Sequence, residues 1–337
     1  MKIFYAVQAT GNGHISRAIQ LMPHLQKLGQ VDVFLSGANA TLEAPLPIKY
    51  RSQGLSLFYS RCGGLNYKQM WKHNSLVRAL REASQLPVEN YDLVLNDFDF
   101  ITARACEKKN VPSIQFGHQA SFMSPHTPRP AQRSLFGEMI LKKYAPATHY
   151  LGLHFEAYDQ FILPPVIKQT FIEAEPTNEG HITVYLSAYE QHCLEHHFRA
   201  LPHLHFHWFL HGITRVERQG NITFYPVSNQ LFNESLLSCH GIITGGGFET
   251  PAEALYLQKR LLSIPIRAQY EQQCNAAALA KAGIAVLANA DTPHFAQDIS
   301  QWLEAPPPAY VQQANDIPAT LERLLALRGM QQEALTA

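Results

Sequence analysis

The sequence predicts an α/β protein of two Rossmann-like domains that face each other across a cleft. Three observations lead there. The chain has 337 residues, 46% of them hydrophobic, enough for two cores at about 100–200 residues per domain. Short apolar runs alternate with helical patterns in both halves, the pattern of parallel sheets covered on both faces. Between the halves stands a stiff step, Leu163-Pro164-Pro165-Val166, and the chain stays polar and proline-marked to Gly180. The boundary is placed there, giving domains 1–165 and 166–337.

The elements follow in order. Ile3 to Val7 is an apolar run of strand length, and Gly11-Asn12-Gly13 turns the chain. Ser16 to Leu28 carries Ala18, Ile19, Met22, Leu25 and Leu28 at helical spacing and stops at Gly29, with a kink expected at Pro23. Val31 to Leu35 is the next strand, and Pro47 to Tyr59 reads as a strand or hairpin. Asn74 to Leu86 and Phe100 to Lys109 are helices, and Leu93 to Asn96 and Ser113 to Gly117 are strands. In the second half, strands are expected at Ile182–Leu186, His205–Leu210, Ile222–Tyr225, Gly241–Thr244, Leu261–Ile264 and Ala285–Ala288. Helices are expected at Leu231–Cys239, Thr250–Leu257, Glu271–Ala282, Asp298–Leu303 and Ile317–Leu327.

Composition excludes several classes. Lys plus Arg equals Asp plus Glu at 27 each, so no global field draws in nucleic acid or an anionic membrane. No run approaches the roughly 18 apolar residues of a membrane span, and the N-terminal run is too short for a signal peptide. A cytoplasmic protein is expected, at most peripheral to the inner membrane. The five cysteines form no C-x-x-C pair and are expected to be reduced and packed.

The chemistry-bearing residues cluster at strand ends. Thr244-Gly245-Gly246-Gly247-Phe248-Glu249-Thr250-Pro251 runs from a strand through three glycines into a helix. Missing side chains let a ligand approach the backbone, and free N–H groups at a helix start favour an anion. The plain alternative is a tight turn that needs glycine for conformation alone. Pro265 to Ala276, which holds Glu271, Gln272 and Asn275, presents acceptors and amides suited to hydroxyl groups.

The stretch Thr244 to Glu253, with Glu271-Gln272 and Asn275-Ala276, resembles the donor signature of GT-B glycosyltransferases. The likeness is to the UDP-glycosyltransferase and peptidoglycan N-acetylglucosaminyltransferase groups. It implies that Gly245, Gly246 and Gly247 hold a diphosphate, that Glu253 holds ribose hydroxyls, and that Glu271 and Gln272 hold the transferred sugar. Glu249 and Asn275 belong to the same donor side, and Tyr225 to Phe232 resembles the nucleobase-pocket stretch. Gly245 stands where a His is frequent in the plant-type form, and Glu271 where Asp is usual.

The first-half loop Gly11-Asn12-Gly13-His14 resembles the family's G-x-G-H, at the acceptor or phosphate side. His is suited to take a hydroxyl proton near neutral pH, although His14 could equally be a plain neighbour of a helix start. Asp97, in Asn96-Asp97-Phe98-Asp99, is the expected orienting carboxylate, ahead of Asp99; either could instead cap a strand end. Arg17 could touch phosphate or lie in solvent, and His118 is a minor acceptor-side candidate. His203, His205 and His207 alternate along a strand, but no carboxylate or Cys is spaced for a metal, and none is expected. Phe122 to Tyr144 mixes apolar and basic residues, read as an acceptor loop and amphipathic helix, or as a membrane-facing surface.

The resulting expectation is an inverting, metal-independent transferase without a cofactor, using a nucleotide sugar, UDP-linked, as co-substrate. The acceptor stays open, with glycan or lipid-linked choices among them, and nucleic acid is not expected as a partner. The alternatives are a sugar-nucleotide epimerase or hydrolase on the same fold, or a non-catalytic binder of nucleotide sugars.

Overall fold

A computed structural model describes residues 1–37, 45–56, 58 and 60–336. In the first half, seven parallel strands form one sheet. They are β1 (Lys2–Gln8), β2 (Gln30–Ser36), β3 (Ile48–Ser52), β4 (Leu93–Asp97), β5 (Ile114–Gly117), β6 (His149–Leu153) and β7 (Ile162–Leu163), ordered β3-β2-β1-β4-β5-β6-β7. The register sets Ile3 beside both Val31 and Leu93. Helices α1 (Asn12–Leu28), α2 (Tyr67–His73), α3 (Leu76–Gln85), α4 (Phe100–Lys109), α5 (Leu135–Lys143) and α6 (Gln169–Ile172) accompany it.

Covering both faces explains why β1 is apolar without alternation. Ile3, Tyr5 and Val7 pack with Ile15, Ala18, Leu21 and Leu25 of α1. Phe4 and Ala6 point the other way, into Ala79 and Ala83 of α3 and Ile101 and Ala105 of α4. α1 begins before the expected Ser16, with Gly11 at its N-cap, and it runs through Pro23 to Gly29. The expected strand or hairpin at Pro47 to Tyr59 is strand only at Ile48–Ser52, and its Leu57 and Tyr59 lie outside the described residues.

The second sheet contains β8 (Ile182–Tyr185), β9 (Phe206–Leu210), β10 (Glu217–Gln219), β11 (Ile222–Pro226), β12 (Gly241–Gly245), β13 (Arg260–Ile264) and β14 (Ala285–Val286), ordered β10-β11-β9-β8-β12-β13-β14. Only the β10–β11 pair is antiparallel. Its helices are α7 (Gln191–Arg199), α8 (Asn229–Ser238), α9 (Glu249–Tyr256), α10 (Tyr270–Lys281), α11 (Phe295–Glu304) and α12 (Ile317–Thr336). Val184, Trp208, Ile243 and Leu262 pack with Phe198 and Phe295 on one face. Ile242 and Leu261 pack with Leu236, Leu255 and Leu279 on the other, in an apolar cluster continuous with that of α1.

In each sheet the strand order reverses once, between β1 and β4 and between β8 and β12. A crevice opens at the carboxyl ends of strands flanking such a reversal. The chain then returns from the second half to the first. Tyr310 donates its hydroxyl to Phe155 O at 2.6 Å, Arg323 reaches Gln160 O and Arg328 reaches Asp92 O, both at 2.9 Å. No helix among the described residues is long and apolar enough to cross a membrane.

The expectation of five reduced cysteines fails for two of them. Cys106, Cys239 and Cys274 are free and buried, whereas Cys62 and Cys193 are joined in a disulfide with Cα atoms 6.1 Å apart. Their 131-residue separation leaves no local spacing to read. The bond sits on a strap in which residues 61–64 lie along the second half. Gly63 N donates to Ala188 O at 2.7 Å, Glu190 N to Arg61 O at 2.8 Å and Arg267 N to Gly63 O at 2.7 Å. Closing so long a loop constrains the unfolded chain, so reduction should cost about 2–4 kcal/mol and lower the unfolding midpoint. Thermal unfolding with and without a dithiol checks this. Cys193→Ser should unfold at the reduced midpoint in both conditions.

Candidate active site

A cavity of about 390 Å³ lies between the halves, at the crevices left by both reversals. Thr10, Gly11, Asn12 and Gly13 line it from the first half, after β1. From the second half come Leu186, Ser187, Ala188 and Tyr189 after β8, Gly245 at the end of β12, and Gly247, Phe248, Glu249 and Thr250 after it. Gln272 and Ile266 also line it. A smaller adjoining cavity is bounded by Asn12, Lys168, Val227, Ser228, Asn229, Phe232, Glu249 and Glu253. The stretch singled out as a nucleobase pocket thus borders the same region.

The three glycines differ in role. None occupies the left-handed region, so conformation alone does not call for glycine there. A Cβ on Gly246 would meet the backbone of Gln272 and Pro265 at 2.9–3.0 Å, so that glycine permits close packing. A Cβ on Gly247 would meet nothing within 4 Å, and Gly245 is nearly as open. Asn275 is fully buried and donates to Gly246 O at 3.0 Å, which fixes the loop from behind rather than lining the cavity. Gln272 likewise accepts from Ile266 N at 2.9 Å.

His14 follows Gly13 directly. Its Nδ1 lies 3.0 Å from Asp97 Oδ1, and its Nε2 is 3.5 Å from Gln119 Nε2. The pair forms because β1 and β4 are neighbours, so the loop after one meets the carboxyl end of the other. Burial disfavours the charged imidazole, but Asp97 more than reverses this and holds the His14 pKa above the ordinary 6.5. Burial would raise Asp97, yet Arg17 and His14 keep it below the usual carboxylate value. Asp99 has a different task. It caps α4 by accepting from Thr102 N at 2.6 Å.

Arg17 neither lies in solvent nor lines the cavity. Its buried Nη2 donates to both oxygens of Asp97 at 2.8 Å, and its Nη1 pairs with Glu249 of the second half. A Cβ on Gly13 would run into the Glu249 carboxylate, so glycine there lets the halves approach. His118, expected towards the acceptor, is buried and lines neither cavity. It stacks on Phe248 with ring centres 4.0 Å apart and lies 2.7 Å from Asn275 Oδ1. Gln119 beside it donates to Glu271 Oε1 at 3.1 Å. Glu253 is buried 3.2 Å from Lys168 Nζ; burial raises its pKa and Lys168 offsets this only in part.

Sequence reading missed Lys168, Tyr185, Ser187, Tyr189 and His211 among the lining residues. The loop after β8 was findable, because it follows a strand at the crevice. Lys168 had no such signal. Of the alternating histidines, His207 stacks on His181 at 3.7 Å and bonds Ser235 Oγ, and His205 bonds Thr223.

With this geometry in view, the relatives are informative. The model of the family described as glycosyl transferase family 1 matches residues 1–307, and the chain belongs to that family. It is a glycosyltransferase with the GT-B fold. The glycotransferase of kitacinnamycin is similar in structure, with TM-score 0.59 and 16% identity over 97% of this chain and 94% of that one. A UGT of Arabidopsis thaliana complexed with UDP gives TM-score 0.59 and 14% identity over 98% and 94%. The spinosyn rhamnosyltransferase SpnG complexed with thymidine diphosphate gives 0.52 and 15% over 90% and 92%. A search of curated proteins finds no match.

The glycine roles are separable by stability. Gly246→Ala should cost about 1–3 kcal/mol by overpacking, while Gly247→Ala should stay within about 0.5 kcal/mol of the parent. Denaturant unfolding of the two variants measures the difference.

Proposed function

We propose that this glycosyltransferase takes its sugar from a nucleoside diphosphate sugar, with UDP as the carrier, and passes it to an acceptor hydroxyl held by the first half. One observation carries the reading. The cavity is walled on one side by the open glycines Gly245 and Gly247 at a helix start and on the other by Gly11 to Gly13, and His14, the residue after that loop, sits just behind the wall paired with Asp97. The relatives that hold UDP and thymidine diphosphate support the same donor class.

The amides of Gly245 to Glu249 and the start of α9 suit the diphosphate, with a partial positive charge of about half a unit at the helix end. Glu249 brings a negative charge to that end, which Arg17 compensates. His14 donates Nδ1–H to Asp97, leaving Nε2 to accept the proton of the acceptor hydroxyl. The acceptor oxygen bonds to the anomeric carbon as the carbon–diphosphate bond breaks. One displacement from the face opposite the diphosphate inverts that carbon. The helix end and loop amides meet the growing charge on the leaving group, so the proposal needs no metal. The Lys168–Glu253 pair and the Val227–Phe232 stretch suit the nucleoside end. The site of action we propose is the cytoplasm, where reducing conditions would act on Cys62 and Cys193.

A thermal-shift panel of UDP, GDP, TDP and CMP compounds tests the donor. The bound nucleotide at about 100 times its Kd should add about 2.7 kcal/mol of stability, and no shift with any of them would sink the reading. His14→Ala should lower transfer by about 10²–10⁴-fold while leaving UDP affinity intact. In the parent enzyme, kcat/KM should fall on acidification below a midpoint above 6.5, because protonated His14 cannot accept a proton. Rates measured across pH check this sign.

A further inference from the structure

Four ionisable side chains meet where the halves touch. Asp97, Arg17 and His14 come from the first half, and Glu249 comes from the second, at the first residue of α9. Two carboxylates and one guanidinium leave a surplus of one negative charge beside a neutral imidazole. A proton on His14 brings the cluster to zero. Without Glu249, Asp97 and Arg17 already cancel, and the same proton would leave an uncompensated positive charge in a buried place.

Hydrogen bonding points the same way. Asp97 Oδ1 and Arg17 Nη2 both lie 3.0 Å from His14 Nδ1, so they compete for it. If Nδ1 donates to Asp97, Nε2 is left free of a proton and can serve as the base. If Nδ1 accepts from Arg17, the proton sits on Nε2 and the base is blocked. Glu249 holds Nη1 and Asp97 holds Nη2, which keeps the guanidinium turned towards the carboxylates.

We propose that Glu249 is a positioning residue that reaches across the cleft to set the strength and tautomer of the His14 base, by engaging Arg17 so that Asp97 keeps its charge for the imidazole. This rests on His14 being the base of the transfer proposed above. The base is then fully set only when the donor-binding half is closed on the other.

The groups facing His14 are accounted for on every side. Asp97 faces it from β4, Arg17 from its own helix and Glu249 from α9. Gln119 stands at Nε2 and ties it to Glu271 of α10. Tyr5 of β1 lies in the same field, and burial and Asp97 push its hydroxyl pKa up, so it stays neutral. Burial would lower Arg17, but Asp97 and Glu249 outweigh it and keep the guanidinium charged. His14, held above its ordinary value by Asp97, is the member of the cluster whose proton the test follows.

The test is an NMR titration of the His14 ring nitrogens in the ligand-free protein, assigned by their loss in His14→Ala. Glu249→Gln should lower the His14 midpoint by about one pH unit, a tenfold loss of proton affinity, and raise the share of the Nε2–H tautomer. Glu249→Asp keeps the charge but draws it back, so it should lower the midpoint by a smaller step. It also serves if Glu249→Gln does not fold. An unchanged midpoint and tautomer in a folded Glu249 variant would overturn the proposal, since a merely structural contact would leave both untouched. The titration needs neither donor nor acceptor. A failed nucleotide panel would remove the transfer reading and leave this result standing, and the reverse also holds.

Discussion

Two sheets can set their carboxyl edges against each other only if the polar groups buried at the contact find partners on the opposite half. This constraint shapes the whole centre of the molecule. Arg17 meets Glu249, His118 meets Asn275 and Gln119 meets Glu271, each pair crossing between the halves. Removing one partner of a buried ion pair costs about 3–5 kcal/mol, because the other charge is left without compensation.

The same constraint sorts the conspicuous residues into two layers. Gly11, Gly13, Gly245 and Gly247 bound open space, while Gly246, Asn275, His118 and Arg17 lie behind them and fix where that space is. Several polar residues that invite a ligand assignment are already engaged by protein. Glu253 has Lys168, Gln272 has the backbone of Ile266, and Glu271 has Gln119. A ligand entering the cavity meets glycine backbone together with Glu249, whose charge Arg17 already engages.

Much of the fold could be read from the chain because its strands are buried on both faces and its helices show regular apolar spacing. Phe100–Lys109 was expected with the bounds it has, and β1, β2, β4 and β12 within a residue or two. Elements too short or too polar for such a pattern escaped, among them Ile162–Leu163, Glu217–Gln219 and the His-rich helix Gln191–Arg199. The loops after β1 and β12 were visible as glycine clusters, and the chain's place among GT-B transferases followed from them. Pairings across the cleft were not visible. Arg17 and Glu249 are 232 residues apart, and neither carries a local signal that names the other. Arg17 could therefore be read only as a phosphate contact or a solvent residue, whereas it is buried between Asp97 and Glu249. Lys168 was hidden for a similar reason, being one basic residue in a linker.

The strap at residues 61–64 has a mechanical meaning. Backbone bonds to Ala188, Glu190 and Arg267 and the covalent link to Cys193 make it part of the second half by attachment, although the chain supplies it from the first. Motion between the halves would therefore carry residues 61–64 along with the second half. With the link intact, that rim of the cleft is covalently fastened to the lobe carrying the glycine bend; once it is cut, the hydrogen bonds to Ala188, Glu190 and Arg267 are left to hold the rim there.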